Sequence, residues 1–164
     1  MYQENTVGSR SGIDLAYIAG FLDGDGSLMF QIKKRADGRK KWRFMATICL
    51  YQDSRHEAPL KWIRNVFGTG YFSRRNDGMS ELRINGFRQT NEILDKLLPY
   101  IRFKKKQASA MRAASSLLIA SDGALRESDL RKIVTHILAI QSENYATRRK
   151  RSEAELLKML GLTP

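Results

Sequence analysis

Two aspartates separated by one glycine, Asp23 and Asp25, are the residues whose type and spacing best suit chemistry on a phosphate. They follow a short apolar stretch, Leu15–Leu22, for which we predict a helix that the glycines end. Carboxylates at a helix C-terminus face the negative pole of the helix dipole, so a counter-charge is expected beside them. A divalent cation could supply it, because Mg²⁺ is commonly held by one or two carboxylates. The alternative is that both aspartates only terminate the helix.

Small residues recur along one face of the same helix. Ala16, Gly20 and Gly24 are spaced four apart, which places them on one stripe. A glycine inside a helix costs about 1 kcal/mol relative to alanine, and the close approach of a second helix would offset that cost. Tight packing within one chain would also explain the stripe. Because the sequence holds a single copy, pairing the stripe with itself across a two-fold axis predicts an isologous homodimer.

The charge balance points to a polyanionic partner. The 164 residues include 29 Lys and Arg against 17 Asp and Glu, a net charge of +12. Nucleic acid is the default partner of such a chain, and an anionic lipid or no partner at all are the alternatives. With one cysteine and two histidines, neither a disulfide nor a cysteine-based zinc site is expected. The sequence has no run long enough for a membrane helix and no apolar signal-peptide core, so an intracellular protein is expected.

The elements that must position these residues alternate between two periodicities. Residues 28–33 and 42–50 alternate apolar and polar side chains around a turn at Ala36–Arg39, which predicts a hairpin. A second hairpin is predicted over residues 71–85, with its turn at Asn76–Gly78. Helices are predicted for residues 59–67, 88–98, 105–120, 127–140 and 153–160. This order predicts an α+β fold, an antiparallel sheet with helices packed on one face. Residues 1–12 are expected to be a flexible segment, residues 13–141 the domain, and residues 142–164 a basic tail with a short helix.

The polar faces of the two hairpins carry side chains that can contact DNA. Arginine pairs with guanine, glutamine pairs with adenine, and either residue can instead contact phosphate. A solvated sheet face is the alternative, although Glu81 is the one acid expected on this face. The six side chains are Gln31, Lys33, Arg35, Arg43, Arg75 and Arg83.

Residues 18–26, Ile-Ala-Gly-Phe-Leu-Asp-Gly-Asp-Gly, resemble the signature of the LAGLIDADG homing endonucleases. The strand-turn-strand that follows, Gly68–Tyr71, the second hairpin and Leu98–Ala108 are also similar to single-motif members. The resemblance covers roughly residues 14 to 140. It implies the family's fold, with the hairpins forming a saddle-shaped DNA-binding sheet. It also implies the homodimeric branch and an enzyme that makes double-strand breaks in a long pseudo-palindromic target, leaving short 3′ overhangs in intron homing.

The resemblance also assigns roles to individual residues. It implies that Asp25 and the carbonyl of Gly24 bind the catalytic metal, Mg²⁺ with Mn²⁺ as an alternative. Gln52 matches a water-ordering residue, and Lys104 a lysine that polarises water or stabilises charge, with a phosphate contact as its alternative. The basic residue of the site is Arg55 or His56, and we choose Arg55. Asp23 is expected to be structural where the helices of the dimer meet, so the predicted interface is Ala16, Gly20, Asp23 and Gly24.

Strand alternation extends the resemblance to a DNA-reading set: Met29, Gln31, Lys33, Arg35, Arg43, Thr47, Ser73, Arg75, Glu81 and Arg83. Met29, Met45 and Cys49 are apolar members of this face and could contact thymine methyl groups. The run Arg148–Arg151 is expected either to bind phosphate outside the grooves or to be solvated. Two other functions stay open, an intron RNA maturase and a non-catalytic DNA-binding protein of the same fold. A prokaryotic cytoplasm or a eukaryotic organelle is the expected location.

Overall fold

The computed structural model describes residues 7–145 and 147–164. The helices are α1 (Val7–Asp25), α2 (Ala58–Phe67), α3 (Phe87–Leu97), α4 (Lys105–Ser121), α5 (Glu127–Glu143) and α6 (Glu153–Met159). The strands are β1 (Gly26–Lys34), β2 (Trp42–Asp53), β3 (Tyr71–Arg74) and β4 (Met79–Asn85). None of the helices in these ranges is long and apolar enough to cross a bilayer.

The two predicted hairpins form a single antiparallel sheet with the strand order β1-β2-β4-β3. β1 pairs with β2 from Gly26↔Leu50 to Lys34↔Trp42. β2 also pairs with β4, from Thr47↔Asn85 to Asp53↔Met79, and this contact joins the hairpins. The α+β prediction is confirmed, and β2 is the strand shared by both halves of the sheet.

One face of the sheet and the helices enclose the hydrophobic core. Leu28, Phe30 and Ile32 of β1 are at most 3% exposed, as period-two alternation predicts. Helices cover this face with their own buried residues, such as Ile93 and Leu97 of α3 and Ile133 and Ile137 of α5. The opposite face carries the polar side chains, so the sheet separates the core from a charged surface.

Local signals set the ends of the helices that were predicted well. Pro59 lies in the first turn of α2, where its missing N–H costs nothing. Gly68 ends that helix in the left-handed region, with φ 66°, and its N–H donates to Arg64 O at 2.9 Å. Ser152 caps α6 by accepting from Glu155 N, while the Glu155 carboxylate accepts from Ser152 N.

Helix α1 is longer than predicted at both ends. It continues through Gly20 and Gly24 to Asp25 and begins at Val7, so residues 7–12 of the predicted flexible segment are helical. Residues 1–6 lie outside the described residues. The helix tolerates both glycines because Ile18, Ala19 and Leu22 are fully buried on its inner face, and that burial outweighs about 1 kcal/mol per glycine.

The C-terminal residues contain the predicted short helix, α6, and it packs into the core. α5 extends to Glu143, and Leu156 and Leu157 of α6 are 2% and 3% exposed within the common core. Arg151 donates through its backbone N–H to Gln141 Oε1 at 2.9 Å and through its guanidinium to Ile32 O at 3.5 Å. Because β1 is an edge strand with unpaired carbonyls, this arginine helps to cover the sheet edge.

Candidate nucleic-acid interface and active site

The carboxylate of Asp23 fastens the end of α1 to the segment before α4. Its Oδ2 accepts from the backbone N–H of Arg102 at 2.7 Å and of Phe103 at 3.2 Å, and its Oδ1 accepts from Lys104 N at 2.9 Å. Three hydrogen bonds to backbone amides occupy most of a carboxylate's acceptor capacity. Asp23 therefore has a structural role within its own chain. Whether it also meets a partner subunit stays a prediction.

Lys104 lies against the same helix end. Its Nζ donates to the main-chain oxygen of Asp23 at 2.5 Å, which places the ammonium at the negative pole of the α1 dipole. Burial lowers the pKa of Lys104, and the nearby carboxylates of Asp23 and Asp25 act in the opposite direction. Lys104 and Asp25, which are 79 positions apart in the sequence, are thus brought within one electrostatic environment.

Asp25 is the last residue of α1, and its side chain is exposed. Among the described residues its carboxylate accepts no hydrogen bond and forms no ion pair, although it sits at the unfavourable end of the helix dipole. No group of three or more His, Cys, Asp or Glu side chains gathers in the described residues. At this helix end, the described residues thus offer one carboxylate without a partner, which fits a divalent cation that also takes ligands from a second chain or from DNA phosphates.

Gln52 lies at the same end of the sheet as Asp25. The first pair of the β1–β2 ladder is Gly26↔Leu50, so Gln52 lies two residues beyond the pair that adjoins Asp25. Its Oε1 accepts from Asp53 N at 2.9 Å, which leaves its amide nitrogen for another partner.

Arg55 has an intramolecular partner instead of a contact with Asp25. It lies in a 3-10 turn, Ser54–His56, and donates from Nε to Asp53 Oδ1 at 3.0 Å and from Nη2 to Oδ2 at 2.8 Å. This bidentate pair holds the pKa of Asp53 well below its usual range. The side chain of Arg55 is 82% exposed. His56, the alternative basic residue, is exposed in the same turn, so both stay candidates.

Between residues 13 and 24, the outer face of α1 carries small and apolar residues that the described part of the chain leaves exposed. Ala16, Gly20 and Gly24 are exposed, and a Cβ added at either glycine would meet no atom within 4 Å. Ile13 and Tyr17, at 67% and 59% exposure, lie on the same side of the helix and were missed from the sequence. Their spacing with Ala16 and Gly20 at three and four residues was the available signal. The helix therefore has a second apolar face, opposite the one in the core.

The solvent face of the sheet brings most of the predicted DNA-reading side chains together. The register pairs Gln31 with Met45 and Lys33 with Arg43, and it places Ser73 opposite Glu81. Lys33 and Arg43 are exposed, Met29 and Gln31 are half-buried, and Arg75 and Arg83 retain 46% and 40% of their side-chain exposure. Arg35 follows β1 and lies 3.9 Å from the Asp37 carboxylate. The prediction that these residues share one face is confirmed.

Two members of the predicted reading set are buried. Thr47 is 1% exposed, and its hydroxyl donates to Asn85 Oδ1 at 2.8 Å. Glu81 is 8% exposed, and its carboxylate accepts from Arg83 and Ser73. Both belong to the correct face, but they lie on neighbouring strands in the middle of the sheet, where their polar groups bond to side chains on the same or the next strand.

Sequence reasoning also missed several residues of this face. Tyr71 pairs with Arg83 in the register and is 67% exposed, which makes it the most exposed aromatic side chain on the sheet. Ser27, Tyr51 and Asn85 share the face by alternation. Continuing the period-two pattern to the ends of the strands would have found them.

Known proteins resemble this chain in sequence. The sequence model of the family described as LAGLIDADG endonuclease matches residues 18–114. The chain is 35% identical over 96 residues to DNA endonuclease I-CvuI of Chlorella vulgaris, an alignment that covers 58% of this chain and 60% of that protein. It is 30% identical over 95 residues to DNA endonuclease I-CreI of Chlamydomonas reinhardtii, covering 58% of each. The chain therefore aligns with about three fifths of the length of these curated relatives.

Solved structures resemble it more completely. I-CvuI in complex with the I-CreI target, with magnesium present and the DNA not cleaved, matches with a TM-score of 0.81 and 26% identity over 94% of this chain and 99% of that chain. I-SmaMI, bound to an uncleaved DNA target with calcium ions, matches with a TM-score of 0.72 and 22% identity. That likeness, of fold alone, covers 92% of this chain but 50% of the I-SmaMI chain.

Proposed function

Because the chain belongs to the LAGLIDADG endonuclease family, we propose that it is a site-specific homing endonuclease that makes a double-strand break in DNA. The observation that carries the proposal is the placement of Asp25. An exposed carboxylate with no partner among the described residues shares the electrostatic environment of Lys104, at the end of a sheet whose solvent face is basic. A protein that only bound DNA would gain nothing from an unneutralised carboxylate there, because it repels the phosphates.

The active unit is a homodimer that forms through the outer face of α1. Exposed Gly20 and Gly24 let two helix backbones approach closely, and Ile13 and Tyr17 add apolar area that association would bury. The structural match covers 50% of the I-SmaMI chain, so one copy of the present fold corresponds to half of that longer chain. This relation supports a unit of two copies. Pairing the two helices side by side, with their C-terminal ends together, would also bring the two Asp25 carboxylates together and supply the second ligand that one chain lacks.

The cation is a divalent one, Mg²⁺ with Mn²⁺ as an alternative, held by Asp25 and the main-chain carbonyl of Gly24. When bound, it would supply Lewis-acid activation of water and stabilise negative charge on the phosphate. The metal ions named with the I-CvuI and I-SmaMI structures support a divalent ion but leave its identity to experiment.

The protein side chains orient the reactants and balance charge. The Lys104 ammonium, fixed by Asp23 O, stabilises the charge that develops on the phosphate oxygens, and the desolvation that lowers its pKa also strengthens its field. The free amide group of Gln52 positions water at the end of β2. Arg55 reaches the DNA backbone, because the Asp53 carboxylate takes its Nε and Nη2 atoms and leaves Nη1 for a phosphate.

The solvent face of the sheet recognises a long pseudo-palindromic target. Two copies related by a two-fold axis read two half-sites, and the net charge of +12 per chain attracts the DNA backbone. The expected site is about twenty base pairs, from about one helical turn per half-site. The expected location of the protein is a prokaryotic cytoplasm or a eukaryotic organelle, where it would meet its DNA target.

The experiment is selection of cleaved duplexes from a random DNA library, with Mg²⁺ and then with EDTA. We expect double-strand products with short 3′ overhangs, a pseudo-palindromic consensus, and no product in EDTA. Binding of a defined sequence without cleavage in Mg²⁺ or Mn²⁺ would contradict the enzyme and leave a non-catalytic DNA-binding protein. Cleavage that persists in EDTA would contradict the role of the cation.

A further inference from the structure

The β3–β4 hairpin contains a carboxylate that its neighbours almost fully occupy. Glu81 Oε1 accepts from Arg83 Nε at 2.8 Å and from Ser73 Oγ at 3.3 Å, and Oε2 accepts from Arg83 Nη2 at 3.4 Å. Arg75 Nη1 lies 3.9 Å from Oε2. The side chain of Glu81 is 11% exposed. An acid that reads a base must offer a free oxygen to an amino group such as N4 of cytosine, and these contacts leave Glu81 little carboxylate surface for that role.

The same contacts fix which end of the Arg83 guanidinium Glu81 leaves available. A guanidinium can present either its Nε–Nη2 edge or its Nη1–Nη2 end to an acceptor pair. Glu81 takes the Nε–Nη2 edge, so the Nη1–Nη2 end points away from it, on a side chain that is 40% exposed. Two parallel N–H groups at that end match the O6 and N7 acceptors of guanine in the major groove.

We propose that Glu81 is a positioning residue for specificity: it holds Arg83 ready to read one guanine in each half-site, and does not itself contact a base. The inference rests on the proposed binding of DNA to this face. The carboxylate also offsets the repulsion between Arg75 and Arg83, so both arginines can occupy neighbouring places on the hairpin. Ordering the arginine before binding reduces the side-chain entropy lost when the base pair forms.

The test is a base-by-base binding profile, measured by selection of bound duplexes in Ca²⁺ and repeated for Glu81→Gln, Arg83→Lys and the double variant. Wild type should select guanine at one position per half-site. Arg83→Lys keeps the charge but loses the planar fork, so it should lose that preference while binding non-specific DNA equally well. Glu81→Gln should weaken the preference at the same position by about tenfold, the lower part of the range for one arginine–guanine pair. In the Arg83→Lys background, Glu81→Gln should change nothing further at that position.

Other results overturn the inference. A preference for cytosine that Glu81→Gln removes would mean that Glu81 reads a base directly. Additive effects of the two changes, or a loss of preference at every position, would mean that Glu81 does not act through Arg83.

The matched control is Glu127→Gln, which removes a carboxylate bonded to Arg131 on α5, away from the sheet, and should leave the profile unchanged. Because the selection measures binding, a wild type that selects guanine but never cleaves would refute the proposed enzyme and leave this inference standing. A wild type that selects no sequence would refute both.

Discussion

The carboxylates at the end of α1 and those around the β3–β4 hairpin have opposite surroundings. At the hairpin, Glu57 accepts from Arg74 Nε and Nη2 at 2.9 and 2.7 Å, from Lys61 and from Ser80, and Glu81 is similarly enclosed. At the helix end, Asp23 is bonded to three backbone amides while Asp25, two residues later, has no partner among the described residues.

This difference separates two uses of the same chemical group. A carboxylate surrounded by arginine and lysine is already neutralised, so it stabilises the local structure and has little affinity left for a cation. An exposed carboxylate at the negative pole of a helix is costly unless a cation joins it. This contrast in partners favours Asp25 over the hairpin acids as the metal-binding candidate.

The largest expected effect comes from a change that touches no carboxylate. Gly20→Leu places a bulky side chain on the outer face of α1, where an added Cβ meets no atom of the described residues within 4 Å but a second helix would oppose the side chain. We expect a folded monomer by sedimentation and the loss of double-strand cleavage. A dimer that still cleaves would show that the two Asp25 residues do not need this contact. The matched control is Ala139→Leu, which adds the same side chain at an exposed position within another helix, α5.

A smaller effect is expected from Lys104→Met. Removing an ammonium that stabilises charge should slow cleavage by about a hundredfold, with little change in binding. Since burial lowers the pKa of Lys104, the wild-type rate should fall with rising pH before the ordinary lysine value of about 10.4 is reached. The variant should lack that decline. The measurement is the single-turnover rate from about pH 6 to about pH 10, a range that reaches the lysine titration. If the variant is slower but keeps the same decline, then Lys104 acts as a phosphate contact.

The alternation of the strands and the ends of α2 and α6 could be predicted because local residues determine them. Leu28, Phe30 and Ile32 alternate with polar neighbours, and Pro59 and Ser152 mark helix starts. The extent of α1 could not be predicted in this way, because Gly20 and Gly24 disfavour the helix and burial of Ile18 and Leu22 overrides them. Propensity is local, whereas burial depends on the completed core.

The candidate site shows the same limit. Alternation placed Thr47 and Glu81 on the correct face, but not their depth, which depends on β4 lying beside β2. The family resemblance gave Asp25, Gln52 and Lys104. It could not reveal that Asp53 holds Arg55, because that pairing depends on the conformation of the turn Ser54–His56.

The smallest effect should come from Glu57, the acid before α2 that bonds to Arg74 and Ser80 of the hairpin, and the effect should be on stability. Its partners, Arg74 first, hold its pKa well below the usual range. A lowered folded-state pKa adds stability above the ordinary glutamate value of about 4.3, and that stability is lost as the pH falls below it. Glu57→Gln should therefore lower the urea midpoint at pH 7 and flatten its decline in acid. An unchanged midpoint would mean that the cluster around Glu57 contributes nothing. Glu127→Gln, in a solvent-exposed pair on α5, is the control.

The most direct test of the role of Asp25 compares wild type with Asp25→Asn in single-turnover cleavage of the selected duplex, at saturating protein with Mg²⁺. Binding of the same duplex is measured in Ca²⁺. The substitution keeps the shape of the side chain and removes its charge. We predict that the variant binds the duplex as a dimer with at least the wild-type affinity, because a repulsive charge is gone. Its cleavage should fall by about a thousandfold or more, as several kcal/mol of transition-state stabilisation are lost. Cleavage of the bound duplex at a rate comparable to wild type would contradict the assignment of Asp25.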